Sequence, residues 1–171
     1  MIERLDARDF EGVFRLMRLS FPEDEFRTRE GQLALFDDPA YRVYALRMEV
    51  GVGALCAAWT LNERLFIEHL AVDPARRNGG LGGRFLDEVI AEAKRPAVLE
   101  VEPPEDDISR RRIGFYQRHG FSLNDYDYLQ LPLRAGQSPK PLLIMTTGGA
   151  ISRAEFEALR NEIYARVYRR G

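Results

Sequence analysis

The chain has 171 residues, 45% of them apolar, and its 25 basic and 27 acidic side chains nearly cancel. That length fits one domain able to bury roughly 70% of its unfolded surface, and with no dominant single-sign field nucleic acid is not the expected partner. No apolar run approaches the roughly 20 residues that cross a bilayer, and MIERLDARDF carries acids where a secretory signal needs an apolar core, so no membrane partner and a cytoplasmic location are expected.

Taken in chain order, residues 2–5 read as a short strand, and Phe10, Val13, Phe14 and Met17 then repeat at the spacing of an amphipathic helix. Pro22 and the acidic run Glu23, Asp24, Glu25 interrupt it, and a second helix is predicted over residues 28–36, ending before Asp37, Asp38 and Pro39. Residues 41–47, 53–60 and 65–72 are strand-like, and the short polar or glycine-containing breaks between them favour an antiparallel meander. The lone cysteine, Cys56, lies in the second of these runs and reads as a small buried hydrophobe.

After residue 78 the period becomes helical, through Leu81, Phe85, Val89 and Ile90, and residues 97–101 follow as a buried strand. A strand, helix, strand series implies a right-handed crossover and local parallel pairing. A further helix is predicted over residues 108–119, closed by Gly120 in a left-handed cap conformation, then strands at 126–131 and 142–146. Ser152 and Glu155 have the spacing of a capping box, and Ile151 with Phe156 that of a hydrophobic staple, so a last helix begins there. These elements follow one another without a convincing domain boundary.

The most chemically informative segment is the glycine-rich turn between strand and helix, FIEHLAVDPARRNGGLGGRF. A helix N-terminus leaves backbone amides unpaired and carries partial positive charge, and glycines let an anion approach them, so a phosphate or pyrophosphate is the expected ligand. A P-loop needs Gly-Lys-Ser/Thr where this chain has Gly82-Gly83-Arg84. A dinucleotide fingerprint needs glycine where Phe85 stands, although Glu100, about 20 residues on, keeps that reading open. What remains is Arg77-x-x-Gly80-x-Gly82 just beyond a strand, led in by Val72-Asp73-Pro74-Ala75-Arg76.

That pattern, with Phe115-Tyr116-Gln117-Arg118-His119-Gly120-Phe121 downstream, resembles the GNAT superfamily of N-acetyltransferases. The tight likeness covers residues 64–121, and the order of elements extends it to about residue 146. The resemblance implies a single α/β domain with a mixed, splayed central sheet, β-α-α-β-β-β-α-β-α-β-β, in which residues 1–146 are the acetyltransferase core and 147–171 a C-terminal helical extension of the same domain. It further implies acetyl-CoA as co-substrate, no metal, and transfer of acetyl to a primary amine, on a small molecule or a peptide, by direct attack. A homodimer is compatible with it. A CoA-binding sensor or interaction module without turnover is the alternative, and a C-terminal helix bearing Arg160, Arg166, Arg169 and Arg170 leaves recruitment of a partner or nucleic acid open.

Carried onto this chain, the resemblance assigns cofactor binding to Leu70, Val72, Arg77, Asn78, Gly79, Gly80, Leu81, Gly82, Gly83 and Ser109. Asn78 to Gly83 would cradle the pyrophosphate, Arg77 would add a charge-assisted bond, and Leu70 and Val72 would offer backbone groups to the pantetheine arm. Ser109 stands where the family often has asparagine. Tyr116 is the expected general acid beside the sulfur, suited to it because an ordinary phenol stays protonated at neutral pH. Glu68, on strand parity with Leu70 and Val72, is the expected base, and Glu102 the second candidate. His69, on the opposite face of a regular strand, and His119, at a helix end, are expected to be structural. The segment 21–30 and the Tyr126-Asp127-Tyr128 group with the loop after Leu133 are candidates to close the acceptor side.

Overall fold

A computed structural model describes residues 1–170; the side chain of Arg170, one of the four arginines named above, and Gly171 lie outside the described residues. The chain begins with β1 (Glu3–Leu5), α1 (Phe10–Ser20) and α2 (Arg29–Ala34), followed by β2 (Tyr41–Arg47), β3 (Val52–Thr60) and β4 (Leu65–Val72). It continues through α3 (Leu81–Ala93), β5 (Ala97–Val101), α4 (Asp107–Arg118), β6 (Phe121–Gln130), β7 (Lys140–Thr147) and α5 (Arg153–Arg166). This is the predicted order, and the strands form one mixed sheet of seven in the order β1-β2-β3-β4-β5-β7-β6.

The first four strands are the expected antiparallel meander. The crossover through α3 makes β5 parallel to β4, and β7 and β6 then pair antiparallel beyond β5. Each face of the sheet carries its own core. On one side α1 contributes Val13, Leu16 and Met17, and α5 contributes Phe156, Leu159 and Ile163, against Trp59, Phe66, Val98 and Ile144. On the other, Phe85, Leu86 and Val89 of α3 and Ile113 of α4 pack on Ile67, Leu99 and Met145. Cys56 is fully buried in this second core, and desolvation pushes its thiol up to about 12, consistent with an inert hydrophobe.

Strand β6 starts five residues before the predicted strand, with a register shift between Asn124 and Tyr128. Its polar start is held by tertiary bonds: Asn124 Nδ2 donates to Thr146 Oγ1 at 3.0 Å, and its Oδ1 accepts from the Ile151 amide at 2.8 Å. Asn124 therefore also fixes where α5 begins. The Ser152–Glu155 capping box is formed in both directions, and Ile151 and Phe156 are both buried. Among the described residues no helix is long and apolar enough to cross a membrane.

Candidate active site

Strands β4 and β5 pair only between residues 65–67 and 97–99. Beyond Ile67 and Leu99 they run on without pairing to each other, to Val72 and Val101. An unpaired edge offers backbone donors and acceptors to a ligand. A cleft of about 720 Å³ is lined by both diverging strands and by residues from both faces of the sheet, a volume usual for cofactor and substrate sites.

One mouth of the cleft is the glycine turn. Asn78 and Gly80 take left-handed backbone, with φ of 71° and 72°, and Gly80 caps α3 without a side chain of its own. The first bond of the helix runs from the Arg84 amide to the Gly80 carbonyl at 3.3 Å, so the amides of Leu81, Gly82 and Gly83 have no intrahelical acceptor. Asn78, Gly80, Leu81, Gly82 and Gly83 all line the cleft, with Arg76 and Arg77 beside them. Arg77 Nε donates to the Val72 carbonyl at 3.1 Å, tying the turn to the strand end and engaging one of the expected pantetheine acceptors.

Two expected ligand residues have other surroundings. Gly79 is not part of the lining, and neither is Ser109, which is 2% exposed. The Ser109 hydroxyl donates to Glu102 Oε2 at 3.2 Å, and its amide donates to Asp106, the N-cap of α4. Gly83 has a second reason to lack a side chain: a Cβ there would lie 2.5 Å from His119 Nε2. His119 is held against α3 by Asp87, 2.9 Å from Nδ1, so this histidine ties the two helices that flank the turn.

Strand β4 is not regular, and this corrects its predicted parity. Ala57 pairs with His69 and Ala58 with Ile67, so Glu68 is an extra, bulged residue. Leu70 and Val72 pack with the α3–α4 core, whereas Glu68 and His69 both face the α1–α5 side. There Glu68 lies 2.9 Å from Arg27, both side chains under 4% exposed, and accepts from Trp59 Nε1 at 3.1 Å. Burial is the largest influence and would raise its pKa, but the charges of Arg27 and His69 and the bonds from Arg27 and Trp59 together outweigh it and hold the carboxyl below the ordinary range. A carboxylate held in that way is a weak proton acceptor.

His69 Nε2 lies 2.7 Å from the Glu25 carbonyl and must therefore be the donor there. Its ring packs on Phe21 at 5.0 Å between centroids, and its buried Nδ1 has no hydrogen-bond partner among the described residues.

The second acid is Glu100, half-buried, whose position suggested from the sequence only a ribose ligand. It follows Leu99, the last β5 residue paired with β4, and lines the cleft. Tyr128 Oη donates to its Oε2 at 2.5 Å, Tyr168 Oη lies 2.6 and 2.8 Å from its two oxygens, and Gln130 Nε2 donates at 3.1 Å. Burial pushes the Glu100 carboxyl above the usual range, with those three donors pulling the other way. Its poise is therefore opposite to that of Glu68. The available signal for Glu100 was its position at the end of a buried strand; its partners come from residues 28 to 68 positions away.

Tyr116, on α4, packs with the α3–α4 core and lines the cleft. Burial raises its phenol to about 12, and its hydroxyl has no partner among the described residues. The cleft thus has a protonated phenol from one face of the sheet and a half-buried carboxyl group from the other.

The end of the cleft away from the glycine turn is flanked by the two segments singled out in the sequence. Arg134 donates to the carbonyls of Phe26 and Arg27 at 2.8 and 3.1 Å, and Gln137 donates to that of Asp24 at 3.3 Å, stapling the loop after Leu133 to residues 23–27. Phe21, Glu25, Leu133 and Lys140 line this end. Tyr128 serves Glu100, while Tyr126 stacks on Phe156 and bonds the Ile151 carbonyl. Among the described residues no group of three or more His, Cys, Asp or Glu is placed to hold a metal.

The sheet order, the splay and the glycine-capped helix define an acyltransferase-type α/β domain. A family profile described as "Acetyltransferase (GNAT) domain" matches residues 39–123. A GNAT-family protein from Bacteroides thetaiotaomicron is 32% identical over 98% of both chains, with a TM-score of 0.90. The chain belongs to the GNAT family of acetyltransferases. Its fold is shared by the ribosomal-protein-S18-alanine N-acetyltransferase of Escherichia coli, at 18% identity, 89% and 95% coverage and a TM-score of 0.65. It is shared too by GphF, a GNAT-like decarboxylase solved with isobutyryl-CoA, at 16% identity, 86% and 98% coverage and a TM-score of 0.68. A search of curated protein sequences gave no match.

Proposed function

We propose that the protein transfers acetyl from acetyl-CoA to a primary amine, carried by a small molecule or a peptide, in the cytoplasm. The observation that carries this reading is the cleft through the β4–β5 gap, with unpaired helix amides at one end, Tyr116 on one face and Glu100 on the other. Acetyl-CoA supplies the acyl carbonyl and the thiol leaving group. The amides of residues 81–83, with Arg76 and Arg77 beside them, suit its pyrophosphate, and the freed edge of β4 near Leu70 suits its pantetheine arm.

An ammonium acceptor must lose a proton before its nitrogen forms the new bond to the acyl carbon. Glu100 is assigned that proton in place of Glu68, because burial poises the former toward accepting it while Arg27 commits the latter. As the carbon–sulfur bond breaks, Tyr116 Oη gives its proton to the sulfur and is reprotonated from solvent. Glu25, Glu100 and Glu102 in the lining suit an amine acceptor, and the E. coli relative is named as an alanine N-acetyltransferase.

The test is release of free thiol from acetyl-CoA against a panel of polyamines, amino-acid amides and short peptides. At least one amine is expected to raise release well above background, and Tyr116→Phe to lower turnover by about 10²-fold or more with cofactor affinity unchanged. Acetyl-CoA binding with no amine-dependent release would overturn the transferase assignment.

A further inference from the structure

The C-terminal segment reaches into the acceptor side of the cleft at two points. Phe156, Leu159, Ile163 and Val167 are buried against the α1–α5 core, and this packing delivers the turn that follows α5. From that turn the Val167 carbonyl accepts from Arg27 Nη2 at 3.1 Å, so the segment touches the partner of Glu68. One residue later Tyr168, 6% exposed, places its hydroxyl between the two oxygens of Glu100. Tyr128 and Gln130 hold the same carboxylate from β6, inside the core architecture. Tyr168 comes from the extension.

We propose that Tyr168 is a positioning residue for acetyl transfer: its hydroxyl fixes the Glu100 carboxylate toward the cleft and stabilises its ionised form, making the C-terminal segment part of the acceptor site. This rests on the assignment of Glu100 as proton acceptor. The groups that face Glu100 are Tyr128 and Gln130 from β6, Tyr164 and Tyr168 from the C-terminal segment, and Glu68 from β4. The charge of Glu68 opposes ionisation of Glu100, and the hydroxyl donors favour it. Loss of one donor to a carboxylate raises that group's pKa, so the pH at which Glu100 becomes able to accept a proton moves upward.

The experiment is a titration of the Glu100 side-chain carboxyl by ¹³C NMR in glutamate-labelled protein, beside the pH profile of turnover with the best amine of the panel. Tyr168→Phe is expected to raise the Glu100 midpoint and the acidic limb of the rate profile by about one pH unit. Replacing Tyr168 with 3-fluorotyrosine, a stronger donor of nearly the same shape, moves both downward and keeps the packing should the phenylalanine variant fold poorly. Tyr164→Phe, which removes a hydroxyl bonded to the Leu129 carbonyl, leaves both where they were. An unchanged Glu100 midpoint in both Tyr168 variants overturns the proposal. Glu100→Gln separates the two levels. If it keeps full turnover and the wild-type limb, the proton-acceptor assignment fails, and Tyr168 with it. If it loses turnover while the Tyr168 variants keep the wild-type profile, only the role of Tyr168 fails.

Discussion

The two ends of the cleft are built in different ways. The proposed donor end is one continuous stretch, residues 70–83, in which a strand, a turn and the first turn of a helix lie side by side because they adjoin in the chain. The proposed acceptor end is gathered from residues 21–27, Glu68, His69, Glu100, Tyr128, residues 133–142 and Tyr168, joined by polar bonds that span up to 140 residues. A local device tolerates change in its neighbours. A knitted one transmits it, so the acceptor end should lose stability where the donor end loses only affinity.

Arg27→Met tests the knitted side and has the largest expected effect. It leaves Glu68 buried without its counter-charge, which costs about 3–5 kcal/mol of folding stability in a chemical denaturation experiment. The double variant Arg27→Met, Glu68→Leu should recover most of that loss, because a buried ion pair contributes little over a well-packed apolar pair. No recovery would mean that Glu68 has partners beyond the pair that matter more.

Gly82→Glu tests the local side. A Cβ at Gly82 meets only Val72 Cγ2, at an ordinary 3.4 Å, so the fold is expected to persist. A carboxylate set among the free amides repels a pyrophosphate by several kcal/mol, and acetyl-CoA affinity measured by calorimetry should fall at least about 100-fold. Unchanged affinity would place the phosphates elsewhere.

Gly83→Ala probes the border between the two styles and has the smallest effect. Replacing glycine favours the helix by about 1 kcal/mol, while displacing His119 from Asp87 costs about 1–3 kcal/mol, for a net loss of about 1 kcal/mol in thermal or denaturant unfolding. In a His119→Ala background the same replacement should become stabilising. If it stays destabilising there, the clash is not the reason for the glycine.

This division also explains what could be read from the sequence. The strands 41–47, 65–72 and 97–101 were legible to the residue because their apolar runs end at turn residues or prolines. The start of β6 was not, since Ser122, Asn124 and Asp125 have weak strand preference and are held there by Thr146 and Ile151, residues far along the chain. The glycine turn was legible because its chemistry is written in adjacent letters. Glu100 was not, because its character comes from Tyr128, Gln130 and Tyr168, and Arg27 gave no sign of its ion pair with Glu68. The expected parity of Glu68 failed for a narrower reason: a strict two-residue period cannot signal one extra residue.

That extra residue works as a phase shift. Upstream of it, even-numbered positions of β4 look toward α1 and α5; downstream, odd-numbered positions do. No point substitution reproduces or cancels such a slip, so the placement of Leu70 and Val72 on one side and His69 on the other is protected from drift by single base changes within codons. Loss of one codon at position 68 would leave those facings in place, because His69 would then follow Ile67 in regular alternation, and would remove only the added carboxylate that faces Arg27.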